Sequence, residues 1–183
     1  HHGSFDISFL RIIPNMTVMA PKDQQELAAM LNTAVNLPGP CAIRYPRGNG
    51  ALTEVDFNGK QLTYGESEVL KDGRDVAIIA IGSMVYPSVA AADYLKSQGI
   101  NASVINARYA KPIDEKLIIK YAGKCGHVVT VEESSASGGF GSAVAEVLNQ
   151  AGMVVPLKII GIPDRFISHG SRDIILDETG LTP

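Results

Sequence analysis

The sequence predicts an α/β protein in two parts, built on a mostly parallel sheet. Three observations support this. From Met16 onward, short apolar runs typical of buried strands alternate with amphipathic helical stretches. A segment rich in Gly and Asn, residues 48–60, has no periodicity and is long for a connection inside one domain. The length of 183 residues fits one domain plus part of another. We therefore expect an open, doubly wound α/β domain preceded by part of another α/β domain.

The first part has the pattern of one strand–helix–strand unit. Residues 16–20 form a short apolar run that predicts a strand. Asp23, with Glu26 three residues later, resembles a capping box at the start of a helix. The apolar residues at helical spacing in this helix are Leu27, Met30, Leu31 and Ala34. Pro38-Gly39-Pro40 ends the helix, and residues 41–45 predict the next strand.

The second part alternates strands and helices regularly. We predict an edge strand followed by four apolar strands, at residues 64–70, 76–81, 102–105, 128–131 and 157–162. Ser83 and Asp114 are the predicted N-caps of the first two helices. The last two helices are predicted over residues 140–151 and 171–178. Strands and helices in this alternation place helices on both faces of a parallel sheet.

Composition excludes several classes of function. The net charge of −3 argues against nucleic acid as a partner, because no basic stripe is present to displace counterions. The longest apolar stretch is far too short to span a membrane, and the chain has no signal-peptide pattern, so we expect a soluble protein. The cysteines, Cys41 and Cys125, are far apart and form neither a disulfide framework nor a zinc motif, which favours the reducing cytoplasm.

The sequence Gly138-Gly139-Phe140-Gly141 admits two interpretations. Glycines between a strand and a helix can let the backbone approach a phosphate at the helix N-terminus. However, the spacing is not G-x-G-x-x-G, and Glu132 and Glu133 just before it would repel an anion. We therefore favour a tight helix entry packed against the sheet.

Two further stretches contain residues with chemical potential. In "GIPDRFISHG", His169 follows the predicted carboxyl end of a strand, and without a visible partner nucleophile or metal spacing we favour a role in loop architecture. In "AIRYPRG", Arg44 and Arg47 lie at the end of a strand, where a planar guanidinium can bind phosphate or carboxylate. An ordinary ion pair between domains explains the spacing equally well, so both interpretations stay open.

The chain opens with "HHGSFD", which suits either the remnant of an expression tag or a native segment. Together, "HHGSFDISFLRIIPNMTVMAP", "AIRYPRGN" and "GIPDRFISHG" resemble the carboxyl-terminal portion of the 1-deoxy-D-xylulose-5-phosphate synthase family, a thiamine-diphosphate-dependent branch of the transketolase superfamily. The resemblance covers essentially the whole chain, in the same order and spacing. It implies that His1-His2-Gly3 is native.

The resemblance implies the following domain organisation. Residues 1–50 are the carboxyl-terminal part of the pyrimidine-binding domain, 51–63 a linker, and 64–183 a transketolase C-terminal-like domain. The family's metal motif and the glutamate that activates the cofactor are absent from this sequence. Thiamine diphosphate and Mg²⁺ are therefore expected in the full-length protein, whereas this fragment should hold no cofactor-binding or metal-binding residue and should be inactive alone.

The resemblance also implies an activity. The family condenses pyruvate with glyceraldehyde 3-phosphate and releases carbon dioxide, a step in isoprenoid, thiamine and pyridoxal biosynthesis. By motif, His1 is the catalytic and substrate-binding residue that assists proton transfer, and Arg47 binds the acceptor's phosphate. The implied protein is a cytoplasmic homodimer. The alternatives are a transketolase, the β subunit of a 2-oxo acid dehydrogenase, or a structural, dimer-forming role for residues 64–183.

Overall fold

The computed structural model describes residues 3–48, 55–56 and 58–182. It confirms the predicted fold class. The strands form a three-stranded sheet, in the spatial order 41–43, 17–19 and 109–111, and a five-stranded sheet, in the spatial order 68–71, 102–106, 76–80, 128–135 and 157–162. In the described part of the chain, no helix is long and apolar enough to cross a membrane.

The first part contains the predicted strand–helix–strand unit, preceded by a short helix that the pattern did not predict. Its elements are α1 (Asp6–Arg11), β1 (Thr17–Met19), α2 (Gln24–Ala34) and β2 (Cys41–Ile43). Strands β1 and β2 are parallel. Asp23 caps α2 as predicted, since its side chain accepts a hydrogen bond from the Glu26 N–H at 2.7 Å. The Glu26 carboxylate accepts from the Lys22 N–H at 2.8 Å, so the return bond of the box is shifted by one residue.

The buried face of α2 differs from the predicted one. Leu31 is 49% exposed and Leu27 only half-buried. The buried positions are Glu26, Ala28, Ala29, Met30 and Thr33. Small residues let the helix lie close to the sheet. The charge of Glu26 can be buried because Arg108 pairs with it at 2.8 Å.

The second part forms the five-stranded sheet and its helices. The elements are β3 (Glu68–Lys71), β4 (Val76–Ala80), α3 (Val85–Ser97), β5 (Ala102–Asn106), β6 (Tyr109–Lys111), α4 (Glu115–Cys125), β7 (Val128–Ser135), α5 (Phe140–Gln150), β8 (Leu157–Ile162) and α6 (Arg172–Thr179). The edge strand β3 is antiparallel to β5, and the other strand pairs of this sheet are parallel.

The two predicted caps of this part have different outcomes. The Asp114 carboxylate accepts from the Leu117 N–H at 3.1 Å and caps α4, as predicted. The prediction for Ser83 was wrong. This residue lies in a short 3₁₀ helix, Gly82–Met84, that precedes α3, and its hydroxyl donates to the Glu133 carboxylate. The Ser83 hydroxyl thus bonds to the charged Glu133 carboxylate and does not cap α3.

Helices cover both faces of the five-stranded sheet, as predicted. Alternate residues of β4 face opposite ways, as expected from the two-residue repeat of a strand. Ala77 and Ile79 belong to the main core cluster with residues of α4 and α5, whereas Ile78 packs with Ala92 of α3.

Strand β6 joins the two parts of the chain and was not predicted. It pairs antiparallel with β1, with Val18 opposite Lys111 and Met19 opposite Tyr109. Tyr109 is fully buried in a cluster with Met19 and Met30. The first part therefore completes its sheet with a strand from the second.

Candidate anion-binding cleft between the two parts of the chain

The chain that follows β2 lines a cleft of about 550 Å³ between the two parts of the molecule. The end of β2 is held against β1, because the Arg44 N–H donates to the Met19 carbonyl at 2.8 Å. Arg47 lines the cleft and is exposed, and it makes no ion pair with any described residue. Its guanidinium is therefore available to an anion that enters the cleft.

Arg44 lines the same cleft but is already paired. Its Nη2 donates to the backbone carbonyl of Glu133 at 2.6 Å, and its Nε lies 3.5 Å from Asp6 Oδ2. Only 9% of its side chain is exposed. Of the two interpretations left open for this arginine, the structure supports the ion pair. Arg44 therefore links the end of β2 and the first residue of α1 to β7.

Glu133 is the central acceptor of the cleft wall. Arg172 Nε donates to one carboxylate oxygen at 3.0 Å, and its Nη2 donates to the other at 2.6 Å. Ser83 also donates to this carboxylate, and Arg44 Nη1 lies 3.9 Å away. Burial alone would raise the pKa of Glu133, but the bonds from Arg172 and Ser83 and the charge of Arg44 lower it below its ordinary value. Glu133 is ionised at neutral pH.

A second cavity of about 560 Å³ adjoins the first. The chain from Tyr45 to Gly48 and Arg172 line both cavities. On the far side of the second cavity, the Tyr86 hydroxyl donates to Asp23 at 2.7 Å. That hydrogen bond, followed by burial, raises the pKa of Tyr86 to about 12. Arg47 therefore lies on the segment that lines both cavities.

The glycine-rich turn before α5 is already occupied by a side chain of the protein itself, the carboxyl group of Glu132. The buried carboxylate of Glu132 accepts from the Phe140 N–H at 2.7 Å and from the Gly141 N–H at 2.8 Å. Burial raises the pKa of Glu132 to about 7, although the two N–H bonds oppose the shift. A Cβ on Gly139 would lie 2.3 Å from the Glu132 carboxylate and from the Ser135 carbonyl. The structure thus confirms a tight helix entry.

The remaining predicted residues fall in different places. His1 lies outside the described residues, and Gly3, the first described residue, lines the cleft. His169 lines the cleft as well, so its loop borders the candidate site. Cys125 is buried in the main core cluster, away from the cleft.

Sequence reasoning missed Glu133, Arg172 and Ser83 as members of the cleft. The available signal was the position of Glu133 near the end of an apolar strand, where polar side chains of parallel sheets gather. That signal was hidden because β7 continues to Ser135, beyond the predicted end of the strand at residue 131.

No group of three or more His, Cys, Asp or Glu side chains that could hold a metal ion is found among residues 3–48, 55–56 and 58–182. Hard cations such as Mg²⁺ need several oxygen ligands, and a diphosphate is usually bound through such a cation. We therefore assign none of the described residues to Mg²⁺ or to a diphosphate.

Comparison with protein families identifies both parts of the chain. The model described as "Transketolase, pyrimidine binding domain" matches residues 1–52, and that of "Transketolase, C-terminal domain" matches residues 65–183, which is well over half of the chain. The chain belongs to the transketolase family. Among solved structures, a split gene transketolase described as an inactive beta4 tetramer matches this transketolase-family chain with a TM-score of 0.86 and 37% identity. The match covers 98% of the chain and 57% of that structure's chain.

The curated relatives of this transketolase-family chain confirm the narrower resemblance. A protein of Pelotomaculum thermopropionicum is 50% identical over 183 residues, and one of Heliobacterium modesticaldum is 49% identical over 182. Both matches cover 100% of the chain, and both relatives are named 1-deoxy-D-xylulose-5-phosphate synthase. The chain spans 29% and 28% of their lengths, respectively. The transketolase of Campylobacter jejuni, at 20% identity, shares the fold with a TM-score of 0.70 over 97% of the chain and 26% of that protein's chain.

Proposed function

We propose that the chain is part of a thiamine-diphosphate-dependent transferase that condenses pyruvate with glyceraldehyde 3-phosphate to 1-deoxy-D-xylulose 5-phosphate, with release of carbon dioxide. The observation that carries the proposal is Arg47, an exposed guanidinium without an ion-pair partner among the described residues, in a cleft where Arg44 is fully engaged. A phosphorylated acceptor needs such a cation. The names of the curated relatives support the same reaction.

The roles of the chain's own residues follow from this proposal. Thiamine diphosphate, bound with Mg²⁺ in the full-length protein, would supply the nucleophilic carbon chemistry. Arg47 binds the phosphate of the acceptor through its planar fork, remote from the reacting carbons. His1 moves a proton next to those carbons. We place the full-length protein in the cytoplasm as a homodimer, and the sites for the cofactor and Mg²⁺ in the part of the protein outside this chain.

The first experiment measures product formation by the full-length protein from pyruvate and glyceraldehyde 3-phosphate. We expect a rate well above that obtained with sugar-phosphate donors. A preference for sugar-phosphate donors would identify a transketolase instead, and acyl transfer to lipoamide would identify a 2-oxo acid dehydrogenase.

The 183-residue chain by itself is proposed to be inactive. The solved split gene transketolase to which it is similar is described as an inactive beta4 tetramer, which supports this view. Calorimetric titration of the isolated chain with thiamine diphosphate and Mg²⁺ should show no saturable heat. Tight, saturable binding would place the cofactor site within this chain and contradict the proposal.

The substitution Arg47→Ala in the full-length protein tests the phosphate contact. We expect kcat/KM for glyceraldehyde 3-phosphate to fall roughly 30- to 1000-fold, because a partly desolvated, charge-assisted contact contributes about 2–4 kcal/mol. Arg47→Lys should recover only part of the loss, because lysine restores the charge but not the planar fork. Steady-state kinetics with each substrate varied in turn would measure both effects.

The control for this variant is the other substrate. The KM for pyruvate should stay close to the wild-type value, since pyruvate has no phosphate. His1→Ala should behave differently and lower kcat as well, because its proposed role is at the reacting carbons. Wild-type kinetics for Arg47→Ala would show that Arg47 does not bind the phosphate and that "RYPRG" is an ordinary surface segment.

A structural, dimer-forming role for residues 64–183 is the second candidate. The participation of β6 in the sheet of the first part favours a role in holding geometry. This candidate predicts that His169→Ala, at the cleft, leaves turnover unchanged when fold and dimer are intact. Loss of turnover in that variant would exclude a purely structural domain.

A further inference from the structure

We propose that Arg172 is a second contact for the acceptor's phosphate, supplied by residues 64–183, and that Glu133 is the positioning residue that holds it. This inference rests on the proposed function. Besides Arg47, the phosphorylated acceptor would then be selected by a second arginine, from the other part of the chain.

The first support is the geometry of the Arg172–Glu133 pair. Arg172 begins helix α6 and uses Nε and Nη2 to donate to the two carboxylate oxygens of Glu133, at 3.0 and 2.6 Å. Its Nη1 has no hydrogen-bond partner among the described residues. A guanidinium gripped along one edge keeps a fixed orientation and presents its remaining N–H donors in the same plane. The pair therefore pre-organises a cation and leaves part of it available.

The second support is exposure. The side chain of Arg172 is 34% exposed, whereas that of Arg44, which shares Glu133, is 9% exposed. Arg44 also donates to a backbone carbonyl and pairs with Asp6, so its donors are committed to protein groups. Of the two arginines that meet Glu133, only Arg172 can also reach a ligand in the cleft.

The third support is the shared location with Arg47. Arg47 and Arg172 both line the cleft of about 550 Å³ and the adjoining cavity of about 560 Å³, one from the end of β2 and the other from the start of α6. Among the described residues that line the first cleft, three are arginines and two are carboxylates, which gives one net positive charge from these five side chains. An anion between the two parts of the chain would meet a guanidinium from each.

The experiment compares two acceptors in the full-length protein, glyceraldehyde 3-phosphate and glyceraldehyde without phosphate. For Arg172→Ala we expect the KM of the phosphorylated acceptor to rise about 10-fold, because the variant loses one partly exposed, charge-assisted contact. The kinetics with unphosphorylated glyceraldehyde should change less than about twofold. Inorganic phosphate, used as a competitive inhibitor, should bind correspondingly more weakly.

The matched control is Arg165→Ala. Arg165 lies on the segment that leads to α6, pairs with Glu178 at 3.4 Å and does not line the cleft. The variant removes the same type of charged side chain from a nearby position, and it should leave the kinetics with both acceptors unchanged. Glu133→Gln should raise the KM of the phosphorylated acceptor by about 3-fold, because Arg172 keeps its charge but loses its orientation. Arg172→Lys should lie between wild type and Arg172→Ala.

The outcomes separate this inference from the proposed function. If Arg47→Ala is defective with the phosphorylated acceptor and Arg172→Ala is not, only the role of Arg172 is wrong. An equal loss with both acceptors in Arg172→Ala and in Arg172→Lys would show that Arg172 serves the fold alone, and would also overturn the inference. A wild-type protein that forms no product from pyruvate and glyceraldehyde 3-phosphate would overturn the proposed function and this inference together.

Discussion

Glu132 and Glu133 are neighbours on β7, yet they leave opposite faces of the sheet and meet opposite environments. Glu132 is enclosed under α5, and its burial outweighs two backbone N–H bonds and raises its pKa to about 7. Glu133 faces the cleft, where Arg172, Ser83 and Arg44 outweigh burial and lower its pKa. The difference teaches that the partners of a buried carboxylate decide its charge. The two adjacent glutamates therefore have different roles: Glu132 holds the start of α5, and Glu133 holds the guanidinium of Arg172.

The largest expected effect comes from crowding the Glu132 side with Gly139→Ala. The new Cβ would lie 2.3 Å from the Glu132 carboxylate and from the Ser135 carbonyl, which belongs to the backbone of β7 and cannot move aside. We expect the free energy of unfolding, measured with urea, to fall by about 4 kcal/mol. Gly123→Ala is the matched control, since its Cβ would lie 3.6 Å from the nearest atom and alanine favours the helix. Wild-type stability of Gly139→Ala would contradict the close packing.

The next effect sharpens the comparison through pH. Because the pKa of Glu132 is raised from 4.5 to about 7 on folding, its favourable contribution is complete below about pH 4.5 and is lost as the pH rises through 7. We expect the stability of wild type relative to Glu132→Gln to decrease by about 3 kcal/mol between pH 4 and pH 8. Urea unfolding of both proteins across this range measures it. A constant difference would mean that Glu132 has an ordinary pKa.

Glu133→Gln should show the opposite slope and a smaller effect. A lowered pKa stabilises the fold above the unfolded value of 4.5 and loses that contribution as the pH falls through the folded pKa. We expect wild type to exceed Glu133→Gln by about 2 kcal/mol at pH 7, the scale of hydrogen bonds to a charged group. The advantage should shrink in acid. If the stability difference from wild type changed with pH in the same direction for both glutamine variants, the two glutamates would not have oppositely shifted pKa values.

The sequence predicted local features well because local physical chemistry decides them. Asp23 and Asp114 cap helices as expected, since a carboxylate three residues before a free N–H needs no distant partner. The alternation of apolar strands and amphipathic helices predicted the five-stranded sheet for the same reason.

The features that the sequence did not predict depend on distant partners. Strand β6 has three residues and pairs with β1, about 90 positions earlier in the chain, so periodicity cannot reveal it. The roles of Ser83, Arg44 and Arg172 depend on Glu133, which no spacing rule connects to them. Arg47 was identifiable from its motif, whereas its exposure in the cleft and its lack of an ion-pair partner among the described residues are visible only in the structure.

The pairing of β6 with β1 has a consequence for dissecting the protein. If the polypeptide were severed between residues 51 and 63 and the amino-terminal piece isolated, β1 would become an edge strand with bare N–H and C=O groups. The Glu26 carboxylate would lose Arg108, and Met19 and Met30 would be uncovered by the departure of Tyr109. Such a piece would tend to self-associate through its open strand, so the two halves should be produced together, as complementary fragments that rebuild the sheet.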